Sequence, residues 1–258
     1  MKAADSAEWL RRNLDGIEAW LRLIASSSPD AELIERDGVT ALLNRAAPER
    51  SVFNSVVARR AEALTGNRDE LARIYAEKGC AWTVWIPEGD RDAAALLAAA
   101  GHTLDAEPRA MGMDLAAVEA PDFGDFEWTT AGSTELMCSI NDRAYGYDDG
   151  TWLRGMGTGD VGRTYFANFD GQSLSTATAV DADGDCLITC VATVPESRGQ
   201  GLAGRLIRRA LVDARDRGCT TTTLQATKAG APVYERIGYR DFGVLQMWEL
   251  RPRELAGA

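Results

Sequence analysis

The 258-residue sequence holds a single histidine, His102, and five cysteines, Cys80, Cys138, Cys186, Cys190 and Cys219, with no C-x-x-C spacing among them. So few nitrogen and sulfur ligands leave no basis for a zinc site, and no metal is expected. An odd set of thiols without a pairing pattern predicts free, mostly buried sulfurs in a reducing cytoplasm rather than a disulfide framework. No run of about 18 apolar residues occurs. The first segment carries charges at Lys2, Asp5, Glu8, Arg11, Arg12, Asp15 and Glu18, so neither a membrane span nor a secretory leader is expected. Positive charge is also short: 28 Lys and Arg stand against 39 Asp and Glu, a formal charge of −11. That balance repels polyphosphates and anionic membranes, so neither nucleic acid nor membrane is expected as a partner, and any anionic ligand must be held locally.

What is present is a globular composition, 45% hydrophobic and 26% charged, with length enough for two domains. Trp9, Leu10, Leu14, Ile17, Leu21 and Ile24 recur at helical spacing, with Asp5 and Glu8 as an opening capping box. Leu33–Arg36, Asp37-Gly38 and Val39–Leu43 read as a hairpin. A strand at 51–57, a helix at 69–78, a strand at 81–86, a helix at 91–100 and a strand at 110–115 complete a mixed α/β first half. Periodicity stops around Glu119-Ala120-Pro121-Asp122-Phe123-Gly124-Asp125, which places a boundary between domains 1–122 and 123–258. Beyond it come a helix from Ser133 to Ala144 and a Gly-rich loop to Gly162. Three strands follow as an antiparallel meander, divided by Asp170-Gly171 and Asp183-Gly184 turns, and then a helix at 202–217, a strand at 220–226, a helix at 229–237 and a strand at 243–250.

The halves end alike. A helix followed by Gly101-His102 and Met111–Leu115 in the first parallels a helix followed by Gly238-Tyr239 and Met247–Leu250 in the second, which points to a tandem duplication; two unrelated α/β domains is the alternative.

The strand ending at Val194 runs through Pro195-Glu196-Ser197 into Arg198-Gly199-Gln200-Gly201-Leu202-Ala203-Gly204 and a helix. Free N–H groups and a helix dipole make such a turn an anion cradle; a tight turn with no ligand is the plainer reading. Downstream lies Thr227-Lys228-Ala229-Gly230-Ala231-Pro232-Val233-Tyr234-Glu235-Arg236-Ile237-Gly238-Tyr239. The first run resembles the Q/R-x-x-G-x-G/A pyrophosphate motif of the GNAT acyltransferase family, with Arg198, Gly201 and Ala203 in the key positions. The second is similar to that family's alanine-rich helix bearing a tyrosine, and the likeness spans Phe126 to Leu250.

The resemblance implies an α/β fold built as two tandem GNAT-like units, each a splayed mixed β-sheet flanked by helices, with a degenerate first copy. It implies acetyl-CoA as co-substrate, its pantetheine arm paired with backbone of Val191, Ala192, Thr193 and Val194, and its diphosphate on Arg198, Gly199, Gln200, Gly201, Leu202, Ala203 and Gly204. Thr227 would contact the cofactor in place of the family's asparagine. Tyr234 would touch it too and protonate the departing thiolate. Glu196 is the candidate base, or else a solvated turn residue. Asp142, Asp148, Asp149 and Asp160 hint at a cationic acceptor, or else are surface charge, and Arg205, Arg208 and Arg209 are candidates for the 3′-phosphate, or else a solvated helix face. The implied function is acetyl transfer to an amine of a small molecule or protein by a monomer or homodimer; a non-catalytic acyl-CoA-binding module is the alternative. The first half shows no second glycine cradle, since 58–68 holds only Gly66, and is expected to wall the acceptor pocket.

Overall fold

The computed structural model describes residues 3–252, with side chains from Ser6 onward, so the cap expected of the Asp5 side chain lies outside the described residues. The first half runs α1 (Ala3–Ser27), β1 (Ala31–Arg36), β2 (Val39–Asn44), β3 (Ser55–Ala58), α2 (Ala61–Glu77), β4 (Trp82–Pro87), α3 (Arg91–Ala99), β5 (Thr103–Ala106) and β6 (Arg109–Asp114). The second runs β7 (Glu127–Thr129), α4 (Thr134–Tyr145), α5 (Thr151–Met156), β8 (Arg163–Phe169), β9 (Gln172–Ala182), β10 (Asp185–Thr193), α6 (Leu202–Asp216), β11 (Thr221–Ala226), α7 (Ala231–Ile237) and β12 (Arg240–Leu250).

Asp170-Gly171 and Asp183-Gly184 have positive φ at both residues, the twist that a two-residue hairpin requires, and they close β8 on β9 and β9 on β10. The helix expected from residue 69 begins at Ala61, because Gly66-Asn67 continues the helix with the Asn67 amide donating to Ala63 C=O, rather than forming a loop.

The strands form one mixed sheet in the order β1-β2-β3-β4-β12-β6-β11-β10-β9-β8-β7, with β5 also on β12. Each half contributes a hairpin leading into a parallel pair, β3 with β4 and β10 with β11. The strand beside each parallel pair comes from the other half. β6 pairs with β11 from Thr221↔Asp114 to Ala226↔Arg109, and β12 pairs with β4 from Leu245↔Pro87 to Leu250↔Trp82. The connection between β6 and β7 carries the 122/123 position, and the sheet hydrogen-bonds across it.

Alternating strand residues face opposite layers. Leu187 of β10 joins α1, α4 and α5 on one face, while Cys186 and Ile188 join α6 and α7 on the other; α2 and α3 cover a third cluster against β1–β4. Alpha-1 lies close on the sheet: a Cβ at Gly16 would sit 3.1 Å from the Leu187 Cβ, and one at Gly112 would collide with Trp9, which stacks on Phe242 at 4.7 Å.

His102 is 4% exposed, edge-on to Trp82 at 4.7 Å, with no hydrogen-bond partner for either ring nitrogen among the described residues. Burial lowers its pKa to about 4. The folded state therefore holds it neutral while the unfolded chain takes a proton below about 6.5. Stability is retained above that pH and falls as pH drops toward 4, by about 3 kcal/mol there. Thermal melts from pH 7 to 4 are expected to show a steeper loss for the natural chain than for His102→Phe; parallel curves would refute this.

Candidate active site

Beta-10 and β11 pair only from Asp185↔Thr221 to Leu187↔Thr223, and beyond these residues the two parallel strands part. A bulge in β10 accompanies the parting: Thr189 faces Thr178 and Ala192 faces Thr176, so β10 spends one more residue than β9, and Cys190 adopts φ +49. Four apart on a regular strand, Cys186 and Cys190 would share a face, but the extra residue flips the register: Cys186 packs under α6 and Cys190 turns to the opposite layer. Burial pushes the Cys190 thiol up to about 12, so it is an inert sulfur in the wall.

The gap opens into a cavity of about 980 Å³. Its walls include Leu187–Thr193 of β10, Ser197, Arg198, Gly199 and Gly201–Arg205 of the glycine turn and α6, Gln225 of β11, and Thr227, Tyr234 and Arg236 around α7.

At one end sits the glycine turn. Gly199 and Gly201 have φ of +79 and +77, and a Cβ on either would meet nothing within 4 Å, so glycine is required here by conformation and leaves open space before the backbone. Gly201 caps α6 without any side-chain bond. None of the N–H groups from Gly199 to Gly204 finds a hydrogen-bond acceptor among the described residues; the first helical donor is Arg205, to Gly201. Orphan donors at the head of a 15-residue helix form an anion site. Arg198, Arg205, Arg208 and Arg236 line the same cavity, and none is ion-paired among the described residues. Four unneutralised guanidinium groups together in a chain of net charge −11 mark local preparation for an anion. Arg198 itself is tied to the carbonyls of Thr193 and Ala144, which fixes the turn against α4. Arg209, by contrast, pairs with Asp213 and lies over Trp128, outside the cavity walls.

Tyr234 is half-buried in the wall, edge-on to Tyr239 at 6.0 Å, and its hydroxyl has no partner within the described residues. Burial, with a smaller contribution from Tyr145, raises its pKa well above 10, so it is a neutral O–H donor throughout the physiological range. Thr227 lies in the wall, but its hydroxyl accepts from Gly230 N–H at 3.1 Å and so helps start α7.

Three of the expected site residues are not brought to this group. Glu196 is exposed and pairs with Arg143, pointing out of the walls because the turn Pro195–Ser197 directs it to solvent. The Val194 side chain is fully buried and its N–H donates to Leu174 C=O at 3.0 Å, leaving Val191, Ala192 and Thr193 as the cavity-lining part of the strand. Gln200 is exposed between its two glycines and is not a wall residue. In the acidic segment, Asp142 is buried and accepts from the N–H groups of Gly150 and Trp152 at 2.9 and 3.0 Å, which builds the start of α5, Asp160 accepts from Gly162 N–H, and Asp148 and Asp149 are exposed; the four lie outside the cavity walls. Among the described residues, no Asp, Glu or His lines the cavity.

The far end holds residues that sequence reading missed. Ile17 and Trp20 of α1, Val52, Trp85 of β4, and Tyr145 and Trp152 form an aromatic chamber, four of the six from the first half. Trp152 stacks on Tyr145 at 6.0 Å and meets Phe53 edge-on at 5.5 Å, and the Tyr145 hydroxyl donates to the Val191 carbonyl in the bulge at 2.9 Å. Their only sequence signal is aromatic residues on otherwise amphipathic elements. Among the described residues no cluster of His, Cys, Asp and Glu could hold a metal, all five cysteines are free and buried, and no helix is long and apolar enough to cross a membrane.

Residues 160–241 match the family model of the acetyltransferase (GNAT) domain, a span that holds the parting strands, the glycine turn and Tyr234. The fold is similar to a GCN5-related N-acetyltransferase from Kribbella flavida, at 18% identity and TM-score 0.69 over 95% of this chain and 98% of that one. It is similar as well to a GCN5-related N-acetyltransferase from Sphaerobacter thermophilus (17%, TM-score 0.57, 91% and 92%) and to a tandem GNAT protein from the clavulanic acid biosynthesis pathway (14%, 0.60, 92% and 94%). No curated protein sequence matches the chain.

Proposed function

From the premise that residues 160–241 carry a GNAT acetyltransferase domain, we propose that this chain is an N-acetyltransferase that moves an acetyl group from acetyl-CoA directly to an amine. The observation that carries the proposal is the row of N–H groups from Gly199 to Gly204 that, among the described residues, find no acceptor, in the wall of the cavity that opens between β10 and β11 with four arginines that carry no ion pair there. The turn would hold the diphosphate, and the open edge of β10 at Val191–Thr193 would take the pantetheine arm as an added strand. The thioester then lies beside the bulge and Tyr234.

The amine lone pair attacks the thioester carbonyl carbon and the C–S bond of the resulting tetrahedral species breaks. The sulfur takes the Tyr234 proton, and the nitrogen gives up its own proton to water, since no titratable base lines the walls. Tyr234→Phe is expected to lower kcat about 100-fold while coenzyme A affinity changes little. Because the phenol keeps its proton to well above pH 10, the rate is expected to rise with pH only as the free amine becomes neutral, with no falling limb below pH 9. A bell centred near neutrality in a pH–kcat/KM profile would refute this assignment.

The absence of a carboxylate or histidine from the walls favours a second reading, a module that binds acyl-CoA without turning it over. Thiol release from acetyl-CoA over an amine panel decides: tight binding with no turnover on any amine selects the module.

The first half, 1–122, we take as a degenerate copy of 123–258. The repeated hairpin–parallel-pair order supports this, and so does its strand-to-helix turn at 58–60, which holds no glycine and whose Arg59 is paired with Asp15 and Glu18. Its role is the chamber wall.

A further inference from the structure

Resting on the acetyltransferase reading, we infer that the acceptor is a small monoamine with a flat aromatic body, and not a polycation or a lysine side chain. The chamber wall is Ile17, Trp20, Val52, Trp85, Tyr145 and Trp152, with no carboxylate. Of the carboxylates flanking these residues, Asp142 is taken by two backbone N–H groups, Glu18 by Arg59 and Glu49 by Arg154, while the exposed Glu88, Asp148 and Asp149 lie outside the walls. Two residues from Val52, Arg50 lies over the Tyr147 ring at 4.1 Å and has no ion pair among the described residues.

A polycation entering here would lose its hydration without gaining an anionic partner in the walls. A monoamine on an aromatic body gains instead. Its ring buries against Trp152 and Tyr145, already held parallel to within 14°, and desolvation depresses the amine's pKa toward the neutral form that must attack. The wall therefore selects the acceptor and supplies the deprotonation bias that a missing base would otherwise provide.

The experiment compares 2-phenylethylamine, spermidine and Nα-acetyl-lysine amide as acceptors with acetyl-CoA, using the full chain and following thiol release, with coenzyme A binding measured alongside by calorimetry. The expected kcat/KM for 2-phenylethylamine exceeds that of either other amine by about 50-fold or more, the scale of burying one aromatic ring. Trp152→Ala is expected to cut that preference at least about tenfold with coenzyme A affinity held within about twofold, and Trp152→Phe to retain most of it. A preference for spermidine or the lysine amide overturns the inference. So does an unchanged preference in a folded Trp152→Ala, or coenzyme A binding with 2-phenylethylamine neither bound nor acetylated. Failure to bind coenzyme A at all instead overturns the acetyltransferase reading beneath it.

Discussion

Gly201→Glu abolishes coenzyme A binding and leaves a folded protein. Two effects oppose each other in this variant, and their magnitudes decide. A side chain at φ +77 costs about 1–2 kcal/mol in a chain whose stability is of order 5–15 kcal/mol, and a Cβ there meets no atom within 4 Å, so the strain is conformational and survivable. A carboxylate at the head of α6 even repays a fraction, about 0.3–1 kcal/mol, through the helix dipole. The same carboxylate sits where the diphosphate would lie, adds one negative charge to a site arranged for anions, and can take the orphan N–H groups for itself. A rise in Kd of at least about 100-fold is expected, near 2.8 kcal/mol. Gly201→Ala separates the causes, because it carries the strain without the charge and should lose only severalfold. Calorimetry with coenzyme A reads both, with circular dichroism confirming the fold; a Gly201→Glu protein that binds as the natural chain does would remove the cradle from the mechanism.

That cradle was legible in the sequence because its chemistry is local. Closely spaced glycines, an arginine before them and an amphipathic helix after them specify orphan donors without reference to the rest of the chain. The Asp-Gly hairpins were legible for the same reason. What escaped was non-local or depended on a single inserted residue. The Cys190 bulge reverses which face of β10 sees the cavity, and strand periodicity counts through it unaware. Glu196 looked catalytic by proximity along the chain, but proximity does not say which way a turn residue points. The chamber is assembled from α1, the segment before β3, β4, α4 and α5, elements that span from Ile17 to Trp152. Trp20 and Trp85 therefore read as ordinary core residues until the fold joins them to Trp152. Equally non-local is the exchange of strands. Each half's pattern of strand and helix is visible, yet nothing in either pattern says that β6 will pair with β11 and β12 with β4.

The exchange leads to the second large effect: the fragment 123–258 will not fold by itself, although it contains the whole GNAT match and every cradle residue. Removing 1–122 takes β6 from between β11 and β12 and exposes the β11 edge along its full length from Thr221 to Ala226. It also removes β4, the partner of β12 from Leu245 to Leu250, and strips α1 from β10, where Leu14, Ile17, Leu21 and Ile24 are buried. At about 1.5–3 kcal/mol for each of these side chains, the loss from α1 alone is comparable to the stability of an average domain, before the orphaned strand edges are counted. The fragment is expected to show no cooperative thermal transition and no coenzyme A binding, and mixing it with 1–122 to restore both where the two pieces are refolded together. A fragment that melts cooperatively near the full chain's temperature would mean that β12 can fold back into the place β6 holds, and that the two halves are joined by choice of partner rather than by need.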